Sequence, residues 1–110
     1  MAAPTTVKEV FENMPNRFNA AAAKGLKAVY QFDLSGDQAA KYNLTIDDGN
    51  LTVAEGQHAS PNITITMAAT DYIDMTSGKL NPQMAFMSGK LKIAGDMGLA
   101  MKMQQLFPIG

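Results

Sequence analysis

The sequence predicts an α+β fold, with helices laid over a five-stranded sheet. Three observations carry the prediction. Val7, Val10, Phe11, Met14 and Phe18 recur at steps of three and four, as on one face of a helix. The pattern from Leu26 onward changes to strict alternation, as in strands half buried on one face. Later segments are opened by capping residues and closed by glycines at the length of short helices.

Taken in order, the first helix spans about 5–14, entered from Thr5 or Thr6. Pro15 interrupts or kinks it, because its ring removes a donor and biases Met14 away from helical angles. Another turn or two is expected through Ala23, stopped by Gly25. Leu26, Ala28, Tyr30, Phe32 and Leu34 then alternate with Lys27, Val29, Gln31 and Asp33 as the first strand. Ser35-Gly36-Asp37 turns the chain. Tyr42, Leu44 and Ile46 mark the second strand and Leu51 and Val53 the third, joined by Asp47-Asp48-Gly49-Asn50, a strong hairpin signal. A polar loop over 56–62 leads to Ile63, Ile65 and Met67, the fourth strand. Thr70-Asp71 starts a short helix ending at Gly78, and Asn81-Pro82 starts another ending near Gly89, with an N-cap and proline at the first helical position. Lys90 to Ile93 is a fifth strand, and Gly95-Asp96 caps a last helix from about Met97 to Phe107, with Pro108 beyond.

Composition narrows the function. With 46% hydrophobic residues over 110, one domain with a sizeable core is expected. There is no Cys, which excludes disulfides, thiolate metal sites and cysteine nucleophiles, and one His removes most imidazole-based schemes. The opening Met1-Ala2-Ala3-Pro4 does not read as a secretion signal, no apolar run approaches a membrane span, and Phe107-Pro108-Ile109-Gly110 carries no lipidation motif or peroxisomal tripeptide. A cytoplasmic protein is expected. Net charge is −1, divided as +2 over 1–32, −6 over 33–78 and +3 over 79–110. No Arg cluster accompanies the basic tail, so no nucleic acid partner is expected, whereas Lys79, Lys90, Lys92 and Lys102 suit transient contact with an anionic membrane surface or simply a solvated face.

The last helix is unusual. Lys102, Gln105 and Gly98 share a narrow polar stripe, while Met97, Leu99, Ala100, Met101, Met103, Leu106 and Phe107 occupy the remaining arc. A helix apolar over most of its circumference lies deep in a core, docks on a partner or walls a cavity. Seven of the nine methionines fall from Met67 onward, and their flexible thioethers suit either ordinary core filling or a site for guests of variable shape.

Catalytic patterns are weak by comparison. No phosphate-binding loop is present, and His58 stands in a polar loop without a nucleophile at recognisable spacing. Asp47 and Asp48 serve a turn, and Asp71 and Asp74 are explained by a helix start.

The C-terminal third carries four blocks in order: Thr76-Ser77-Gly78-Lys79, Asn81-Pro82-Gln83-Met84-Ala85-Phe86, Gly89-Lys90-Leu91-Lys92-Ile93 and Gly95-Asp96-Met97-Gly98-Leu99-Ala100-Met101-Lys102. Together they closely resemble the signature of the sterol carrier protein 2 (SCP2) family of lipid-transfer domains. Ile63-Thr64-Ile65-Thr66-Met67 fits the family's order, and residues 1–60 match it in pattern more than in motif.

The resemblance implies a mostly antiparallel, mixed five-stranded sheet covered on one face by helices and enclosing an apolar tunnel. It implies a lipid ligand (fatty acid, acyl-CoA or sterol), no catalytic residue, no metal and no cofactor. Gln83 corresponds to the family's polar group near the tunnel. Phe86, Met101, Met103 and Leu106 correspond to lining residues, and Phe32 and Met87 complete the candidate lipid-contact set. Met84 and Met87 stand where smaller or aromatic residues are common in the family, which favours linear chains over sterols. The expected function is a non-catalytic carrier, monomeric or weakly dimeric. The competing reading is an accessory module whose apolar groove docks on a lipid-metabolising enzyme or on a second copy.

Overall fold

A computed structural model describes residues 6–36 and 39–107. The cap candidate Thr5, the turn residue Asp37 and the helix stop Pro108 lie outside these. Thr6 caps α1 (Val7–Arg17), its side chain accepting the Glu9 N–H at 3.1 Å. The helix does not end at Met14, as the proline had implied, but runs through Pro15 to Arg17. Near a helix end a proline removes only one donor, and burial of Val7, Val10, Phe11 and Met14 outweighs that loss. After Arg17 the extra helical turns resolve into tight turns, Ala23 bonding to Ala20 and Lys24 to Ala21. Gly25 closes them at φ +79°.

Five strands follow the expected alternation: β1 (Lys27–Ser35), β2 (Ala40–Asp47), β3 (Asn50–Glu55), β4 (Ile63–Ala68) and β5 (Leu91–Gly95). Their spatial order is β3-β2-β1-β4-β5, with β1 and β4 parallel and the other pairs antiparallel. The β2–β3 turn places Asp48 and Gly49 at φ +48° and +86°, as a two-residue hairpin requires. Asp48 also accepts the Gly25 N–H at 2.7 Å, pinning this hairpin to the start of β1.

Paired residues share a face, so register builds continuous rows. One row runs Tyr42, Phe32, Ile65, Ile93 across β2, β1, β4 and β5, and the next runs Leu44, Tyr30, Ile63, Gly95. On this face Phe11 stacks on Tyr42 at 4.1 Å and meets the Phe32 ring edge-on at 5.3 Å. A strand half buried on one face would leave Gln31 on the open side, yet Gln31 is fully buried. The loop after β3 covers it: Gln31 accepts the His58 N–H at 2.8 Å and donates to the Gly56 carbonyl at 3.2 Å.

The remaining helices are α2 (Ala69–Thr76), α3 (Pro82–Met87) and α4 (Met97–Leu106). Helix α2 starts one residue before the expected Thr70 and has no side-chain cap, because Ala68 at its N-cap, the last residue of β4, carries no side-chain acceptor. Asn81 caps α3 through the N–H groups of Gln83 and Met84, and Asp96 caps α4 through that of Gly98. Gly95 joins β5 to α4 at φ +109°, with its backbone so close to β4 that a Cβ would lie 2.5 Å from the Asn62 carbonyl oxygen.

Candidate functional site

An apolar cavity of about 100 Å³ lies between the sheet and the helices. Its floor is the row Phe32, Ile65, Ile93, extended by Leu91. Helix α1 supplies Met14 and Arg17, α2 supplies Tyr72, Met75 and Thr76, and α4 supplies Ala100, Met103 and, just past its end, Phe107. Pro82 at the head of α3 completes the wall. Helices α1, α2 and α4 each reach the space through residues about one turn apart, as side chains on one face of a helix do.

Of the seven candidate lipid contacts, Phe32 and Met103 line this cavity. Leu106 lies beside them in the core, fully buried, and does not border the void. Gln83, Phe86, Met87 and Met101 are exposed on α3 and α4, Met87 by 81% and Met101 by 78%. The broad apolar arc of α4 is therefore split: Ala100, Met103, Leu106 and Phe107 turn inward, while Met97 and Met101 join Met84, Phe86 and Met87 on the surface.

Neither Arg17 nor Tyr72 stands out in the sequence as a site residue. Nη2 of Arg17 donates to the Thr76 carbonyl at 3.3 Å, drawing the end of α1 onto the end of α2. Tyr72 is buried, with its ring 5.4 Å from Phe32 and 5.6 Å from Phe11. Burial pushes its phenol well above the ordinary tyrosine range, and the neighbouring Arg17 charge offsets part of that rise. The available signal was Tyr72 lying one turn before Met75 and Thr76 on an amphipathic helix, with no cue that Arg17 would face it. Tyr30 borders the same layer and donates to the Leu99 carbonyl at 2.9 Å, tying the sheet to α4.

Among the described residues, no group of His, Cys, Asp and Glu is placed to hold a metal ion, and no helix is long and apolar enough to cross a membrane. What the arrangement offers chemically is an apolar pocket whose polar lining groups are Arg17, Tyr72 and Thr76 of α1 and α2.

A mixed sheet roofed by helices around an apolar pocket is the architecture of SCP2-type domains. Residues 7–108 match the family model described as the SCP-2 sterol transfer family, and the chain belongs to that family. It is 39% identical over 101 residues to "Hydroxysteroid dehydrogenase-like protein 2" of Xenopus tropicalis, covering 91% of this chain and 24% of that protein. The chain thus spans about a quarter of the length of the curated relatives it matches. The solution structure of the sterol carrier protein domain 2 of Helicoverpa armigera is similar at 33% identity and a TM-score of 0.65, covering 88% of this chain and 79% of that one. The palmitated SCP2L2 of Aedes aegypti shares the fold at 24% identity and a TM-score of 0.67, covering 96% of this chain and 93% of that one.

Proposed function

We propose that this chain is a non-catalytic lipid carrier that shields one acyl or sterol-like chain in the cavity between its sheet and helices. The carrying observation is the cavity itself, walled by side chains from α1, α2, α3, α4 and three strands. Membership in a sterol transfer family and the palmitated form of the Aedes aegypti relative support the same reading. Burying about 14 methylenes contributes roughly 11 kcal/mol at about 0.8 kcal/mol each. Lost freedom of the ligand opposes this by roughly 4–15 kcal/mol, so the net is at most about 7 kcal/mol, a dissociation constant on the order of 10 micromolar or weaker, which permits release.

Ligand pockets commonly reach about 300 Å³ or more. A full chain therefore enters only if the walls give, and Met14, Met75 and Met103 supply unbranched side chains able to repack. The exposed Met84, Phe86 and Met87 of α3 and Met97 and Met101 of α4, with the exposed Lys90 and Lys92 and the half-buried Lys102, are the groups that would meet an anionic membrane during transfer in the cytoplasm. Displacement of a fluorescent fatty acid, followed by native mass spectrometry, tests the carrier reading. Saturable displacement with one lipid per protein supports it, and neither signal with any fatty acid, acyl-CoA or sterol refutes it.

One observation favours a second reading. The Xenopus relative contains the matched segment within a chain about four times as long, so the domain also fits the role of an accessory module serving an enzyme. In that case the exposed α3–α4 face docks on protein. Co-purification with a dehydrogenase-type partner, without exchange of lipid between vesicles, would favour the module over the carrier.

A further inference from the structure

Tyr72 carries a polar atom that has no partner among the described residues. Among the described residues, every fully sealed side-chain nitrogen or oxygen has a hydrogen bond. The Tyr72 hydroxyl forms none with a described residue, although the side chain is only 1% exposed and lines the cavity. Its oxygen therefore meets the open volume of the pocket. A hydroxyl aimed into an apolar pocket is left to water or to a guest that can complete it.

Arg17 stands beside it. Its positive charge is close enough to act on the Tyr72 phenol, and of its five N–H groups the structure pairs one, at the long distance of 3.3 Å. Both residues border the same cavity, at the end where α1 and α2 meet. The phenol stays protonated at neutral pH, so it is a donor. Two donors, one charged, at one end of an otherwise apolar pocket match an oxygen anion joined to a hydrocarbon.

We propose that the Tyr72 hydroxyl, with Arg17 beside it, hydrogen-bonds a ligand oxygen inside the cavity, so that the site selects chains ending in a carboxylate over plain hydrocarbon. The inference rests on the cavity being the lipid site, and it places the polar end of the ligand between α1 and α2 rather than at the exposed Gln83. A carboxylate would be prohibitive to bury alone, and the guanidinium supplies the opposite charge that makes it tolerable. The methylenes then extend between the Phe32–Ile65–Ile93 row and α4.

Calorimetric titration of the full chain with dodecanoate and with butylbenzene tests it. Wild type is expected to bind both. Tyr72→Phe keeps the ring and should bind butylbenzene as wild type does, but dodecanoate about tenfold more weakly, the loss expected for a hydrogen bond to a charged group. Arg17→Gln should show the same selective loss. Without ligand, Tyr72→Phe should melt at or above the wild-type temperature, because no partner is lost. Unchanged dodecanoate affinity in Tyr72→Phe, or a clearly lowered melting temperature of the empty variant, overturns the inference and leaves the carrier reading intact. A wild type that binds neither compound overturns both.

Discussion

The Tyr30 hydroxyl on β1 donates a hydrogen bond to the Leu99 carbonyl in the first turn of α4, 2.9 Å away and 69 residues on in sequence. It fixes the roof of the cavity to its floor at one point. Tyr30→Phe keeps the packing and removes the bond, so denaturant unfolding should show a loss of about 1 kcal/mol. Hydrogen exchange should speed up in α4 before it does in β1 and β2. A uniform change across the fold would mean that the bond does not hold α4 in particular.

Alkaline pH probes the same layer. Burial, and second the nearby Asp96 charge, raise the Tyr30 phenol to about 12. Tyr72 is raised further by burial, and Tyr42 is raised by burial and by Glu55 and Glu12. Unfolded phenols titrate near about 10. A folded pKa above the unfolded one means that this stability is whole below about pH 10 and is lost as pH climbs toward about 12. Melting temperature should hold to about pH 9.5 and then fall, with phenolate absorbance appearing alongside unfolding. Phenolate forming near pH 10 in a still-folded protein would contradict the burial.

Gly95 marks the closest approach of the β5–α4 junction to β4. Gly95→Ala must fit a methyl group 2.5 Å from the Asn62 carbonyl oxygen and hold φ at +109°. We expect a loss of about 2–4 kcal/mol by thermal or denaturant unfolding, as for a strained backbone position combined with a steric clash. Gly36→Ala shares the positive φ but has open space around it, so its cost should be clearly smaller.

Filling the cavity should separate folding from ligand capacity. Ala100→Phe projects a ring from α4 into about 100 Å³ of space. The folded protein should persist at a cost of about 1–3 kcal/mol, while fatty acid displacement weakens by more than about tenfold. Met101→Phe, one residue away and 78% exposed, should leave binding unchanged.

Much of this fold was legible because the relevant patterns are local. Alternation along β1 to β4, the Asp48-Gly49 turn and the Asn81 and Asp96 caps depend on neighbours a few residues away. Pro15 misled the reading because its cost is fixed locally while its compensation, the burial of Phe11 and Met14, is tertiary. Gln31 misled it for the same reason, since the loop carrying Gly56 and His58 returns to cover it. The site was legible as a region, through the methionine-rich α4, but less so as residues. Periodicity showed that α4 was apolar nearly all round without showing which side would meet the sheet. That Arg17 and Tyr72 border one cavity follows from two helices meeting over the sheet, and no spacing within either helix encodes it.

The most direct test follows the methionine methyl groups by NMR as a fatty acid is added to the protein in the absence of membranes. The signals of Met14, Met75 and Met103, which border the cavity, should shift and saturate together, while those of the exposed Met84, Met87 and Met101 stay in place. Shifts confined to the exposed set, with the cavity methyls unmoved, would show that lipid adheres to the α3–α4 surface and that the interior is not the carrier site.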